Sequence, residues 1–145
     1  NQLSTTDNLE TALETAGDHS SPPYPEGALM NYMTAITGNL TAGSFLIASI
    51  LQRELQEFGR CGKFHRWHHH RLIDSVPDQY KWQWRIAPPK NFNPKVHSLP
   101  NGKMAVEFYT CRVVSPISIF RHVDRYPANS YVAKASNQSV ATLIK

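Results

Sequence analysis

Apolar and polar positions alternate most cleanly between Lys95 and Val114, where Lys-Val-His-Ser-Leu and Lys-Met-Ala-Val-Glu-Phe-Tyr-Thr-Cys-Arg-Val-Val flank Pro-Asn-Gly. Asn-Gly between two alternating runs is the strongest short-range signal for a β-hairpin, because both residues tolerate the positive φ of a tight primed turn. On the second arm Met104, Val106, Phe108 and Thr110 share one side, and Ala105, Glu107, Tyr109 and Cys111 the other. Tyr80 to Ile86 alternates in the same way. Tyr80, Trp82, Trp84 and Ile86 oppose Lys81, Gln83 and Arg85, the pattern of a half-buried strand. Ile117 to Val123 reads as a further strand. Asp124 to Ser130 reads as a turn region, and Val140 to Ile144 as an edge strand or a docking tail.

The first half of the chain changes period. No charged residue occurs between Gly27 and Gln52. Leu29, Met33 and Ile36 recur at helical spacing, and Gly38-Asn39 marks a break. A second helix is predicted from Thr41 or Ala42 to Phe58, with Ile47, Ile50, Leu51, Leu55 and Phe58 as its apolar stripe and Gly59 as its C-cap. The fold class expected from these elements is α+β: an N-terminal helix pair packed on an antiparallel sheet of about four strands. Residues 1–26 are expected to form a flexible acidic, Pro-rich tail, and residues 27–145 a single α+β domain.

Charge sharpens that division. Residues 1–26 contain Asp7, Glu10, Glu14, Asp18 and Glu26 and no Lys or Arg; the remainder carries fifteen basic residues against six acids, a formal charge of +9. A basic body with an acidic tail points to an anionic partner, or to a tail that masks the basic face. The strongly apolar part of the uncharged stretch, Leu40 to Leu51, is too short to cross a membrane, so it is expected to be buried, with homo-oligomerisation through residues 27–52 as one way to cover it. The first residues have neither the basic start nor the apolar core of a signal peptide, which gives a cytoplasmic expectation. The chain does not begin with Met and reads as a fragment or a processed product. Cys61 and Cys111 follow no spacing motif, and a cysteine in a strand such as Cys111 reads as a small buried hydrophobe.

The densest chemical cluster is Arg60 to Arg71, Arg-Cys-Gly-Lys-Phe-His-Arg-Trp-His-His-His-Arg. Either His65 with His69 or His68 with His70 offers two metal ligands, with no third fixed by spacing, so no metal or other cofactor is expected. The same stretch interleaves Arg60, Lys63, Arg66 and Arg71 with Phe64 and Trp67, beside His68 and His70; Lys81 and Arg85 add charge from the polar face of their strand. Cations beside stacking rings suit phosphates and bases, yet no recognised nucleic-acid motif is present. His97, His122, Glu107, Asp124 and Tyr109 are the residues with acid–base chemistry, but no nucleophile or phosphate-loop motif accompanies them. Glu107 is expected to form a structural ion pair with Arg112 or Arg121. The function expected is a non-catalytic interaction module that docks on a larger protein assembly or an acidic partner through this basic surface. The alternative is a single-stranded nucleic-acid-binding protein that uses the same residues.

Overall fold

The computed structural model describes residues 27, 29–59, 67–78 and 80–144. The expected tail at residues 1–26 and the segment 60–66 lie outside them. The chain divides into two compact units, residues 1–34 and 35–145. Within the described part of the first unit, the Asn31 side chain accepts the Met33 N–H at 2.9 Å, and the Asn31 carbonyl accepts the Thr34 hydroxyl at 2.7 Å.

The described residues of the second unit hold one α-helix, α1 (Ala42–Gly59), and six strands: β1 (His70–Leu72), β2 (Trp82–Trp84), β3 (Lys95–Ser98), β4 (Met104–Arg112), β5 (Ser118–Tyr126) and β6 (Lys134–Leu143). The strands form one antiparallel sheet in the order β1-β4-β5-β6-β2, and β3 pairs with β4 beyond the stretch that β1 occupies. This corrects the expected helix pair on a four-stranded sheet: the described residues hold one helix, and the structure is mostly sheet. The Leu29–Ile36 periodicity yields only a 3-10 turn, Tyr32–Ala35. Asn31 takes the orphan N–H groups into a local turn, the usual way in which Asn competes with helix. Further on, Leu40 adopts a φ of 56°, outside the helical region.

The additional strands have physical causes as well. Asp124 to Tyr126, expected as a turn, continue β5 because β4 extends to Met104 and offers them partners, with Val106 opposite Asp124 and Met104 opposite Tyr126. β6 begins at Lys134 and lies between β5 and β2, so the C-terminal stretch is an interior strand rather than an edge. The register shifts between Ile119 and Phe120, whose partners are Ala141 and Ser139. Val140 is the extra residue of that bulge, and Val140 and Ala141 are both fully buried. The β3–β4 hairpin forms as the sequence predicts, with Asn101 and Gly102 at φ of 61° and 70°.

Both faces of the sheet are covered. On one, Tyr109 and Ile119 form a core with Phe92, Val140 and Ala141, flanked by half-buried Trp82, Trp84 and Ile86. On the other lie Val106, Phe108, Thr110, His122, Asp124 and Tyr126, against α1. Phe45 packs its ring 5.0 Å from that of Tyr126 and 5.1 Å from that of Tyr131. The Tyr131 hydroxyl accepts the Leu40 N–H at 2.9 Å and lies 2.7 Å from Ser44 Oγ, which fixes the entry into the helix. No helix among the described residues is long and apolar enough to cross a membrane.

Candidate functional site

The face of α1 turned to the sheet is unexpectedly polar. Ser49, Gln52, Arg53 and Glu57 are buried, whereas Ile47 from the predicted apolar stripe is 65% exposed. Residues 45, 49, 53 and 57 follow one another at four-residue steps, so they stack along one side of the helix. Arg53 reaches Asp124 through two hydrogen bonds of 2.6 and 2.8 Å, and donates to the Ser49 carbonyl at 2.8 Å. Its guanidinium lies 5.0 Å from the centre of the Phe108 ring. A planar, bidentate pair of this kind satisfies both charges in a place where either alone would be costly.

Beside this pair a cleft of about 220 Å³ opens between the helix, the sheet and Trp67. Arg53 and Gln56 reach it from α1, His70 from β1, Arg112 from β4, Phe120 and His122 from β5, and Asn137 from β6. Trp67 is held against the helix by Glu54, which accepts its indole N–H at 2.7 Å, and by Glu57, which accepts its backbone N–H at 3.0 Å. Glu57 also hydrogen-bonds His68. Burial works to raise the Glu57 pKa, but the bonds from His68 and Trp67 outweigh it and hold the carboxyl below its ordinary value.

The imidazole of His70 lies between two rings, Trp67 at 5.3 Å in a stacked arrangement and Phe120 at 5.0 Å. His122 stacks on Phe108 at 4.8 Å. Burial pushes the pKa of His70 down to about 4, with Arg112 as the next cause, and burial does the same to His122. Both imidazoles are therefore neutral near pH 7. Polar contacts join them. Thr110 Oγ1 lies 2.8 Å from His70 Nδ1 and 2.8 Å from His122 Nε2. His122 Nδ1 lies 2.6 Å from Asn137 Oδ1, which also accepts from Arg53 at 2.8 Å.

The charge balance of the cleft favours an anion. Arg53 is neutralised by Asp124, and among the described residues no carboxylate lines the walls. Arg112 forms no ion pair among the described residues; its Nε donates to the Val114 carbonyl at 3.3 Å. Two guanidiniums, the Asp124-paired Arg53 and Arg112, two neutral imidazoles and two large rings face the space. No group of three or more His, Cys, Asp or Glu among the described residues is placed to hold a metal.

The residues singled out from the sequence are dispersed. Arg60, Lys63, Phe64 and Arg66 lie outside the described residues, as does Cys61. Trp67 is buried as a wall of the cleft, and His70 is half-buried beside it. His68 and Arg71 are exposed; Arg71 donates to the His68 and His70 carbonyls. Lys81 and Arg85 are exposed around β2, at the opposite edge of the sheet from β1. Three strands separate the two edges, about 20 Å at ~4.8 Å per strand. Glu107 forms its ion pair with Arg121, at 2.5 Å, and accepts from the Tyr109 hydroxyl at 3.1 Å, away from the cleft. Cys111 is buried, and burial raises its thiol pKa.

Sequence reasoning did not select Arg53, Thr110, Arg112 or Asn137 as site residues. The available signal was the four-residue spacing of Ser49, Arg53 and Glu57, together with one side of β5, where His122 and Asp124 stand between Phe120 and Tyr126. Comparison with protein-family models, with curated proteins and with solved structures finds no match for the chain.

Proposed function

We propose that this chain is a non-catalytic binding module whose cleft takes a flat carboxylate. The observation that carries the reading is Arg112: among the described residues, a guanidinium without an ion-pair partner in a cleft with aromatic walls and no carboxylate. An arginine so placed is suited to hold a carboxylate in a bidentate fork. The histidines support binding over proton transfer, because a base with a pKa of about 4 is poorly matched to chemistry at neutral pH. The expectation of an acidic partner thereby gains a specific seat. The carboxylate can belong to a free small molecule or to a side chain of a docking protein, and both would meet Arg112.

The test is a titration with benzoate and with benzamide, followed by amide chemical shifts. Benzoate is expected to bind in about the millimolar range and at least tenfold more tightly than benzamide. Arg112→Gln is expected to remove that preference. Equal binding of the two probes, or no binding near saturation, sinks the reading. An acidic aromatic peptide in the same titration distinguishes the docking source from a free ligand. A single-stranded oligonucleotide that binds at low salt without displacing benzoate would mean a separate phosphate-binding site on the basic surface outside the cleft.

A further inference from the structure

The hydrogen bonds behind the cleft have only one consistent direction. Arginine has donors and no acceptor, so the Asn137 atom 2.8 Å from the Arg53 guanidinium is the amide oxygen. The same oxygen faces His122 Nδ1 at 2.6 Å, so Nδ1 carries the proton of that ring. With His122 neutral, its Nε2 is bare and accepts the Thr110 hydroxyl hydrogen across 2.8 Å. Threonine has one hydroxyl hydrogen, and it is now committed. Toward His70 Nδ1, also at 2.8 Å, Thr110 offers only a lone pair, so His70 Nδ1 must be the donor. His70 is neutral as well, which leaves its Nε2 as a bare lone pair. Nε2 makes no hydrogen bond among the described residues, and the ring lines the cleft.

We propose that an occupant of the cleft must bring a hydrogen-bond donor to His70 Nε2, beside the carboxylate that Arg112 takes, so that the ligand class is a flat hydroxy- or amino-substituted carboxylate. This rests on the reading of the cleft as a carboxylate seat. Arg53, whose charge is permanent, sets the polarity at one end, and Asn137, His122 and Thr110 transmit it to the other. A buried acceptor left facing an apolar group of the ligand loses its water without replacement, which is how such a site rejects an analogue without the donor. Thr110, His122 and Asn137 act as positioning residues, since they fix which nitrogen of His70 is free.

Two measurements test this separately. The first uses the ligand-free protein: long-range nitrogen–proton correlation spectra of the histidine rings near pH 7. His70 is expected as the Nδ1–H tautomer with Nε2 unprotonated, and an Nε2–H tautomer overturns the relay whatever the cleft binds. The second compares 3- and 4-hydroxybenzoate with the corresponding methoxybenzoates. The better-fitting hydroxy acid is expected to bind about tenfold more tightly than its methyl ether, the worth of one well-made hydrogen bond. Thr110→Val should shrink that ratio to within about twofold and release the His70 tautomer, and Thr110→Ser should restore both. Because Thr110→Val leaves two imidazole nitrogens without a partner and can fail to fold, the wild-type spectra and the Ser variant carry the test alone if needed. Equal binding of hydroxy and methoxy acids, with carboxylate preference still lost in Arg112→Gln, overturns the donor requirement and leaves the carboxylate seat standing. The expected tautomer with no binding of any benzoate overturns the carboxylate seat, and the ligand class with it.

Discussion

At the scale of single residues, the central fact is a permanent cation in the cleft wall whose charge is already matched by a buried carboxylate. Arg53 is 7% exposed and Asp124 is fully buried, so each depends on the other for compensation. Asp124→Asn keeps the shape and removes the charge, which strands the guanidinium. The expected cost is about 3–5 kcal/mol of unfolding free energy, read as a drop in the urea midpoint. Replacing both partners with apolar residues, Arg53→Met with Asp124→Leu, should recover much of that loss, because the penalty belongs to the orphaned charge. A single mutant within ~1 kcal/mol of wild type would mean that water reaches Arg53 and that it does not anchor the relay. Little of this was legible in the sequence. Arg53 and Asp124 stand 71 positions apart, and an Arg among Gln and Glu on a helix has the composition of a solvated face. His122 could be named as a residue with acid–base chemistry, but its partners Thr110 and Asn137 are ordinary strand polar residues until the sheet register brings them together.

At the scale of elements, backbone demands were legible where a single residue type carries them. Asn101 and Gly102 announced the hairpin because few other pairs accept positive φ, and the Trp82–Trp84 alternation survived because it reports which face packs. The limits of α1 also follow from its flanking residues, with Thr41 before it and Gly59 as its last residue. What failed was the face of the helix. Counting apolar residues selected Ile47, while the structure buries Ser49, Gln52 and Arg53, because polar partners on the sheet meet them, Tyr126 for Ser49 and Asp124 for Arg53. Two glycines with room for a Cβ differ in what their backbone requires. A Cβ at Gly102 would meet nothing closer than Ala128 at 3.5 Å, yet φ is +70°, so Gly102→Ala should cost about 1–2 kcal/mol through strain alone. Gly43, in the first turn of α1, has open space around it and helical geometry, so Gly43→Ala should gain up to about 1 kcal/mol. Thermal midpoints moving in opposite directions confirm both statements; a neutral Gly102→Ala would mean that the hairpin turn relaxes to another conformation.

At the scale of the whole molecule, the neutral histidines couple folding to pH. Unfolded, His70 and His122 titrate near 6.5; folded, both titrate near 4, lowered first by burial. The groups around them are Arg53, Glu57, His69, Arg112 and Asp124; Arg53 also opposes protonation of both rings, and Arg112 and His69 that of His70. Well above pH 6.5 neither state binds these protons, and this contribution to stability is flat. Between 6.5 and 4 the unfolded chain takes up as many as two protons that the folded chain refuses, so unfolding free energy rises with pH across that window and is lost as pH falls through it. Below about 4.5 the carboxylates take over. Glu57 and Glu107 are both held under their ordinary value in the fold, where hydrogen bonds outweigh burial, so protonating them continues the loss. Urea midpoints measured from pH 7.5 to 3.5 should show this two-stage decline. Repulsion among the surface cations of a chain with net charge +4 would also weaken the fold in acid, but it is screened by salt, whereas the cost of charging a buried imidazole is not. The decline between pH 6.5 and 4 is therefore expected to persist at 0.5 M salt, about three times the ionic strength of ordinary buffers. If stability stays level down to pH 5, the two rings are already solvated or already charged. The direction of the Thr110 relay, which requires both to be neutral, would then lose its foundation.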